Sequence, residues 1–322
     1  MTGEPPPLAR AALARAAQHR TDEQWLRQAW PVARVLLVDA NTGGQALVRD
    51  AAGAGEHAEL VLVDPAQAPE TGLDARIFVG VDVDGTPLFA VDAPLPDLPG
   101  TRRVTVRDVG HLLGDRDAGL LTTAAALVGW HARHRYAPAT GLPTRSVDGG
   151  WSRVDSGGVR IWPRTDPAVI ALVQDGRAGP QGRCLLANHH TRRGDDHGRL
   201  YSCLAGYVEP GESAEAAVAR EVAEEVGVQL SGLAYLGSQS WPFPGTLMLG
   251  YFAYVDADQP IEVDPEEIVR ARWFTRAEVA ALLAGQRVDS GDGFAVRLAP
   301  PASIAAFLIR RWMADDRPNL GP

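Results

Sequence analysis

The chain has 322 residues, enough for two or three domains of ordinary size, and its 45% hydrophobic and 22% charged residues are those of a globular protein. A formal net charge of −9 excludes broad electrostatic binding to DNA or RNA, leaving room only for a local basic patch. No apolar run is long enough to span a bilayer and MTGEPPPLAR lacks the apolar core of a secretory leader, so no membrane partner is expected and a cytoplasmic location is. In chain order, a Pro-rich start leads into an Ala/Leu/Arg segment, Leu8–Arg20, of helical character. Its basic face reads as solvated, since the segment is too short to argue for a membrane or nucleic-acid contact. From Val32 to Asp92 short β-type runs take over (Arg34–Asp39, Ala46–Arg49, Leu60–Asp64, Arg76–Val81 and Leu88–Val91), punctuated by Gly, Pro and Asp. Asp108–Leu113 and Ala118–Arg135 read as helices, the second with Leu120, Leu121, Ala124, Leu127 and Trp130 at helical spacing. His131 and His134 follow; without further ligands nearby they read as a polar helix end rather than half of a metal site.

These runs predict a small mostly-β N-terminal domain, residues 1–135, with no chemical motif of its own. Residues 136–163 form a Gly/Pro/Ser-rich connector. From residue 164 the pattern changes again. Ala168–Val173 and Arg183–Ala187 are apolar strands, followed by a polar loop, Asn188–Gly198. His189 and His190 stand beside acidic residues there, but a solvated loop is favoured over a metal site. Arg192 and Arg193 could meet substrate phosphates or simply be solvated. Leu200–Ala205 is a strand, as are Leu233–Ser238, Leu247–Val255 and Ala271–Phe274, while Arg276–Ala284 and Ile304–Met313 are helical. Irregular alternation of strands and helices fits a mixed α/β sandwich over residues 164–322. Cys184 and Cys203 are too few for a disulfide framework, and their apolar neighbours predict buried reduced thiols.

One stretch carries the chemistry: Gly206–Val228, GYVEPGESAEAAVAREVAEEVGV. Pro210-Gly211 is a turn dipeptide, Ser213 a good N-cap, and Gly227 sits where a helix C-cap glycine belongs. On the helix between them Glu221, Glu224 and Glu225 share a face, while Val218, Val222 and Val226 form a neighbouring apolar one. Carboxylates crowded this way repel one another, and a hard cation such as Mg²⁺ or Mn²⁺ would offset the repulsion. The stretch resembles the signature of the Nudix hydrolases, G-x5-E-x7-R-E-U-x-E-E-x-G-U with U apolar, at every fixed position.

A second motif follows, Ser238-Gln239-Ser240-Trp241-Pro242-Phe243-Pro244-Gly245-Thr246. Two rings interleaved with two prolines make a stiff ribbon able to present flat faces to a base at little entropy cost; a Pro-rich core loop is the plainer reading. With the signature upstream, the motif resembles the S-Q-P-W-P-F-P-x-S element of the NADH pyrophosphatase subfamily, from which it departs at Ser240 and Thr246. The second departure keeps a hydroxyl, and the first removes a rigid residue. The resemblance implies an α/β/α Nudix sandwich with a mixed sheet, preceded by the mostly-β domain and a zinc-ribbon-like connector. The ribbon's C-x-x-C pairs would fall at Ala137/Thr140 and Val154/Gly157, none of which is a cysteine, so no zinc is expected.

The resemblance further implies hydrolysis of NADH or NAD⁺ to AMP and nicotinamide mononucleotide, removal of NAD caps from RNA 5′ ends, and a homodimer. Carried residue by residue, it makes Glu221, Glu224, Glu225 and the Ala205 carbonyl metal ligands, with Glu267 favoured over Glu266 for a later one. Either Glu224 or Glu225 is the base, and Arg220 orients the carboxylates. Trp162 and Tyr207 would sandwich the nicotinamide ring, and Gln239, Ser240, Trp241, Pro242, Phe243, Pro244, Gly245, Thr246 and Ala305 would line the rest of the dinucleotide site. Two competing readings are a Nudix hydrolase of ADP-ribose or a diadenosine polyphosphate, which the Trp-Pro-Phe-Pro element disfavours, and a silent NAD-binding sensor, which the complete glutamate set disfavours.

Overall fold

The computed structural model describes residues 4–50, 57–190 and 198–314. They divide into an N-terminal unit, Pro7–Thr165 with Ser240–Thr246, and a C-terminal unit, Asp166–Gln239 with Leu247–Pro322 and Met1–Pro6.

In the N-terminal unit the expected helix over Leu8–Arg20 is absent apart from one 3₁₀ turn, Ala17–His19. Long-range partners override the helix propensity of its alanines. The Arg10 guanidinium donates to the carbonyls of Gly110 and Leu113, and Ala14 bridges Val81. The first α-helix is instead α1 (Glu23–Ala29), N-capped by the Asp22 carboxylate on Trp25 N. The β-type runs fold as β1 (Arg34–Val38), β2 (Ala46–Asp50), β4 (Leu62–Val63), β5 (Arg76–Val81) and β6 (Pro87–Asp92), and two strands not expected join them, β3 (Ala58–Leu60) and β7 (Arg102–Val104). They form a four-stranded sheet, β4-β1-β6-β5, in which β1 and β6 are parallel, and a three-stranded sheet, β3-β2-β7. Helix α2 (Val106–Val109) is shorter and earlier than Asp108–Leu113 because Thr105 and Asp108 close a capping box around its first turn. Helix α3 (Asp115–Arg133) sends Leu120, Leu121, Ala124, Leu127 and Val128 into a core with Leu36, Val79 and Ala90.

The connector folds as an antiparallel ribbon of β8 (Thr144–Val147), β9 (Ser152–Asp155) and β10 (Arg160–Ile161), in the order β10-β9-β8. Trp151 fastens it to β5 by donating Nε1–H to Phe78 O at 2.7 Å, with the Arg20 guanidinium 3.5 Å over its ring. His131 fastens it to α3. Its Nε2 lies 2.8 Å from Gly150 O and its Nδ1 2.7 Å from Arg153 Nη1. A carbonyl only accepts and a guanidinium only donates, so Nε2 carries the proton and Nδ1 accepts. His134 Nδ1 pairs with Trp130 O at 2.9 Å.

The C-terminal unit contains β11 (Asp166–Gln174), β12 (Arg183–His189), β13 (Arg199–Tyr201), β14 (Leu204–Tyr207), α4 (Ala214–Val226), β15 (Leu230–Trp241), β16 (Thr246–Val255), β17 (Ile268–Thr275), α5 (Arg276–Leu283), β18 (Val296–Leu298) and α6 (Ile304–Ala314). The main sheet runs β15-β16-β11-β12-β17, with β14 also paired to β11; β13 pairs in parallel with β18. The continuous apolar run of β11 reflects burial on both faces. Val169, Ala171 and Val173 pack on α4 through Val218, Val222 and Val226, and Ile170 and Leu172 pack on α6 through Ile304, Leu308 and Trp312. This is the expected α/β/α sandwich. Cys184 and Cys203 are buried free thiols in its α6-side core. Several boundaries differ from expectation: β15 extends beyond Leu233–Ser238 at both ends, β17 begins at Ile268 rather than Ala271, and β18 was not expected. The strand read as Leu200–Ala205 breaks into β13 and β14, and β12 continues through Asn188 to His189. Among the described residues no helix is long and apolar enough to cross a membrane.

Candidate active site

Helix α4 is held at both ends by its own sequence. Ser213 Oγ accepts from Ala216 N at 3.1 Å, and Gly227 closes the helix at φ +74°, where a side chain would be strained. With the three valines turned inward, the glutamates fall at graded depths. Glu225 is 2% exposed, Glu221 part-buried, and the Glu224 side chain 59% exposed.

Arg220 gathers them. Its Nε and Nη2 grip the two oxygens of Glu212, each at 2.9 Å, while Nη1 donates to Glu221 Oε1 and Glu224 Oε2, also at 2.9 Å. Nη2 also reaches Tyr207 O at 3.0 Å, and Glu212 Oε2 accepts from Glu209 N at 3.0 Å. Glu212 therefore fastens the loop before α4, and the Arg220 bonds to it hold its carboxyl below the usual carboxylate range. The same bonds push the Arg220 pKa up.

The signature glycine has a steric reason. A Cβ at Gly206 would lie 1.9–2.2 Å from the Glu221 carboxylate, so only glycine leaves it that space beside β14. Burial pushes the Glu221 carboxyl up, the charges of Glu224 and Glu267 push the same way, and Arg220 opposes them. Glu267 thus acts electrostatically on Glu221. Glu266 instead ties its backbone N–H to Asp264 Oδ1 at 2.8 Å.

Two histidines neighbour these groups, and the first stands in a strand where a loop was expected. His189 belongs to β12, is buried, and sets Nδ1 3.8 Å from Glu225 Oε1. The signal was available: Leu185 and Ala187 face α4, and alternation carries the same face on to His189. His190 donates its backbone N–H to Glu267 O at 2.9 Å, and its Nε2 lies 3.0 Å from Pro265 O, fixing the turn that carries Glu267. Arg192 and Arg193 lie outside the described residues.

The other expected contacts are spread over both units. Ala205 pairs with Ile170 in the sheet. Gln239 is buried and donates Nε2–H to Ala302 O at 3.0 Å, and Ala305 is buried in α6. Tyr207, in the C-terminal unit, is 54% exposed; Trp162, in the N-terminal unit, is 59% exposed with the Arg160 guanidinium 5.5 Å from its ring. Ser240–Thr246 belongs to the N-terminal unit, where Trp241 and Phe243 pack half-buried on the α3 core.

The donor set suits a hard divalent ion. Glu221, Glu224, Glu225, Glu267 and the Ala205 carbonyl are all oxygen donors, and the space at Gly206 admits a carboxylate. In this conformation no three Asp, Glu, His or Cys side chains among the described residues form a group that could hold a metal, and Arg220 engages Glu221 and Glu224 instead. The ribbon does not suit zinc. Thr140 Oγ1 donates to Asp155 Oδ2 at 2.7 Å, and Asp155 Oδ1 accepts from Gly157 N at 3.0 Å and Val159 N at 2.8 Å. A hydrogen-bonded clasp joins the two knuckles where thiolates would stand, and it holds the Asp155 carboxyl below its ordinary range.

A family model described as NUDIX domain matches residues 164–292, and one described as NADH pyrophosphatase-like rudimentary NUDIX domain matches residues 34–130. The chain is 37% identical over 322 residues to the NAD-capped RNA hydrolase NudC of Mycobacterium tuberculosis (strain ATCC 25618 / H37Rv), covering 97% of this chain and 96% of that one. It is 38% identical over 218 residues to the NAD-capped RNA hydrolase NUDT12 of Macaca fascicularis, covering 65% and 44%. It is 40% identical over 207 residues to the mitochondrial NAD(P)H pyrophosphatase NUDT13 of Homo sapiens, covering 62% and 56%.

Proposed function

This chain belongs to the NADH pyrophosphatase branch of the Nudix hydrolases, and on that footing we propose that it hydrolyses the pyrophosphate of NAD(H) to AMP and nicotinamide mononucleotide and removes NAD caps from RNA 5′ ends. The observation that carries this reading is the similarity to a NAD-capped RNA hydrolase along 97% of the chain, which takes in both the α4 carboxylates and the Ser240–Thr246 loop. Glu221, Glu224, Glu225, Glu267 and the Ala205 carbonyl would hold Mg²⁺ or Mn²⁺, which when bound would supply positive charge to the pyrophosphate and acidify water. The chain's own residues do the rest. Arg220 keeps the carboxylates aimed while Glu212 keeps Arg220 in place. A carboxylate oxygen of Glu224 or Glu225 takes the proton of the attacking water. Trp162 and Tyr207 offer exposed rings for the nicotinamide, and Gln239–Thr246 and Ala305 serve the remainder of the dinucleotide. Zinc has no part, given Ala137, Thr140, Val154 and Gly157. The active form is a cytoplasmic homodimer.

Product analysis tests the reading. NADH, NAD⁺, ADP-ribose and NAD-capped RNA are incubated with Mg²⁺ and with Mn²⁺, and nicotinamide mononucleotide and 5′-monophosphorylated RNA are expected. Cleavage of ADP-ribose in preference to every nicotinamide substrate would overturn it.

A further inference from the structure

The Ser240–Thr246 loop turns from β15 into β16, with Pro242–Gly245 outside both strands. Pro242 and Pro244 have no N–H to donate, and Phe243 N donates to Trp241 O at 2.7 Å. Two arginines of the N-terminal unit also hold it. The Arg107 guanidinium lies 5.3 Å from the Trp241 ring centroid and 4.7 Å from that of Phe243. Those two rings meet edge to face at 5.3 Å and 72°. Arg133, in the last turn of α3, donates Nη2–H to Pro244 O at 2.7 Å. Arg107 is itself fixed, since α2 is one turn bounded by the Thr105/Asp108 capping box and anchored in the core by Val106 and Val109.

We propose that Arg107 and Arg133 are positioning residues that fix the ring geometry of the Trp241–Phe243 pair and thereby set the preference for a nicotinamide dinucleotide. This rests on the functional reading above and gives the rudimentary domain a role in specificity. A planar cation lies against both rings at once, which an ammonium on a flexible stem does not reproduce. Arg133 fixes the carbonyl of Pro244, the residue that follows Phe243, so one arginine contacts the rings and the other the backbone beside them.

The experiment measures kcat and KM for NADH and for ADP-ribose with wild type, Arg107→Ala, Arg107→Lys and Arg133→Ala, with thermal melts of each. Exposed cation–π contacts are worth about a two- to fivefold change in binding. Arg107→Ala is therefore expected to raise the NADH KM about two- to fivefold, and Arg133→Ala, which removes one hydrogen bond, by about the same factor, with kcat and the ADP-ribose KM unchanged and Arg107→Lys failing to restore it. Equal losses on both substrates, full rescue by lysine, or unchanged NADH kinetics each overturn the inference while leaving NADH hydrolysis standing. Wild type inactive on NADH but active on ADP-ribose overturns the functional reading and this inference with it.

Discussion

Acidification from pH 7 to pH 4 should cost the N-terminal unit stability through one side chain, His131. Burial pushes its pKa from 6.5 to about 4; the Gly150 carbonyl works against the shift, and the charges of Arg153 and His134 add to it. A second proton would have to sit on Nδ1, which faces the Arg153 guanidinium at 2.7 Å, a group with nothing to accept it. The unfolded chain takes up that proton near pH 6.5 and the folded chain only near pH 4, so between them the unfolded state binds more protons. The contribution is therefore intact above about pH 6.5 and is lost progressively as pH falls to about 4. At about 1.4 kcal/mol per pH unit, the gap sets an upper bound of roughly 3 kcal/mol. His131→Gln is the matching perturbation, because a glutamine amide can donate to Gly150 O and accept from Arg153 but does not titrate. Thermal melts of both proteins from pH 7.5 to 4 cancel every group they share. Wild type should lose melting temperature relative to the variant across the window, at about 2–4 °C per kcal/mol. Parallel curves would refute the neutral, doubly bonded histidine.

Glu225→Gln should keep the fold, because a buried neutral amide replaces a buried carboxylate of the same shape, and should lower turnover of NADH about 10²- to 10⁴-fold; near-wild-type kcat would remove Glu225 from the site. Gly206→Ala should lower kcat with little change in melting temperature, since the added Cβ displaces only the flexible end of Glu221; an unchanged kcat would mean the carboxylate does not act from that place. Asp155→Ala should lower the melting temperature by removing the clasp to Thr140, Gly157 and Val159, whereas a zinc chelator leaves the wild-type melt alone; a chelator-sensitive melt would refute the metal-free ribbon.

What was legible in the residues is what local chemistry determines. Ser213, the three valines and Gly227 define α4 without outside help, and the apolar run of β11 declares burial on both faces. What was not legible depends on partners far along the chain. Leu8–Arg20 has helix-forming alanines, but the carbonyls that hold Arg10 lie about a hundred residues away. Alternation from Leu185 and Ala187 puts His189 on the α4 face, but that it meets Glu225 there depends on how β12 packs against α4. The missing ribbon cysteines were plain; their replacement by an Asp155–Thr140 clasp needs two knuckles folded against each other. Likewise the Trp-Pro-Phe-Pro element fitted both a core loop and a binding ribbon. Packing on the α3 core fulfils the first reading for one side of Trp241 and Phe243, while the second now rests on the arginines that hold them.

Arg220 resolves how the carboxylates can crowd together yet remain available. Two donors are spent on Glu212, so that residue is a holder, and its own oxygens are taken by Arg220 and Glu209 N. The single Nη1 is divided between Glu221 and Glu224, engaging one oxygen of each, while a carboxylate has two. The arginine thus aims both groups without consuming them. Burial, more than the charges of Glu224 and Glu267, keeps the Glu221 carboxyl shifted upward despite the guanidinium beside it. A divalent cation would favour the ionised form of that part-buried carboxyl, and the groups that would meet it stand on fixed elements: α4 carries three of the glutamates, and His190 pins the turn that carries the fourth. A lysine at position 220 would place a point charge there but could not fork between Glu212, Glu221, Glu224 and the Tyr207 carbonyl at once. The arginine of the signature is therefore required for its planar geometry as much as for its charge.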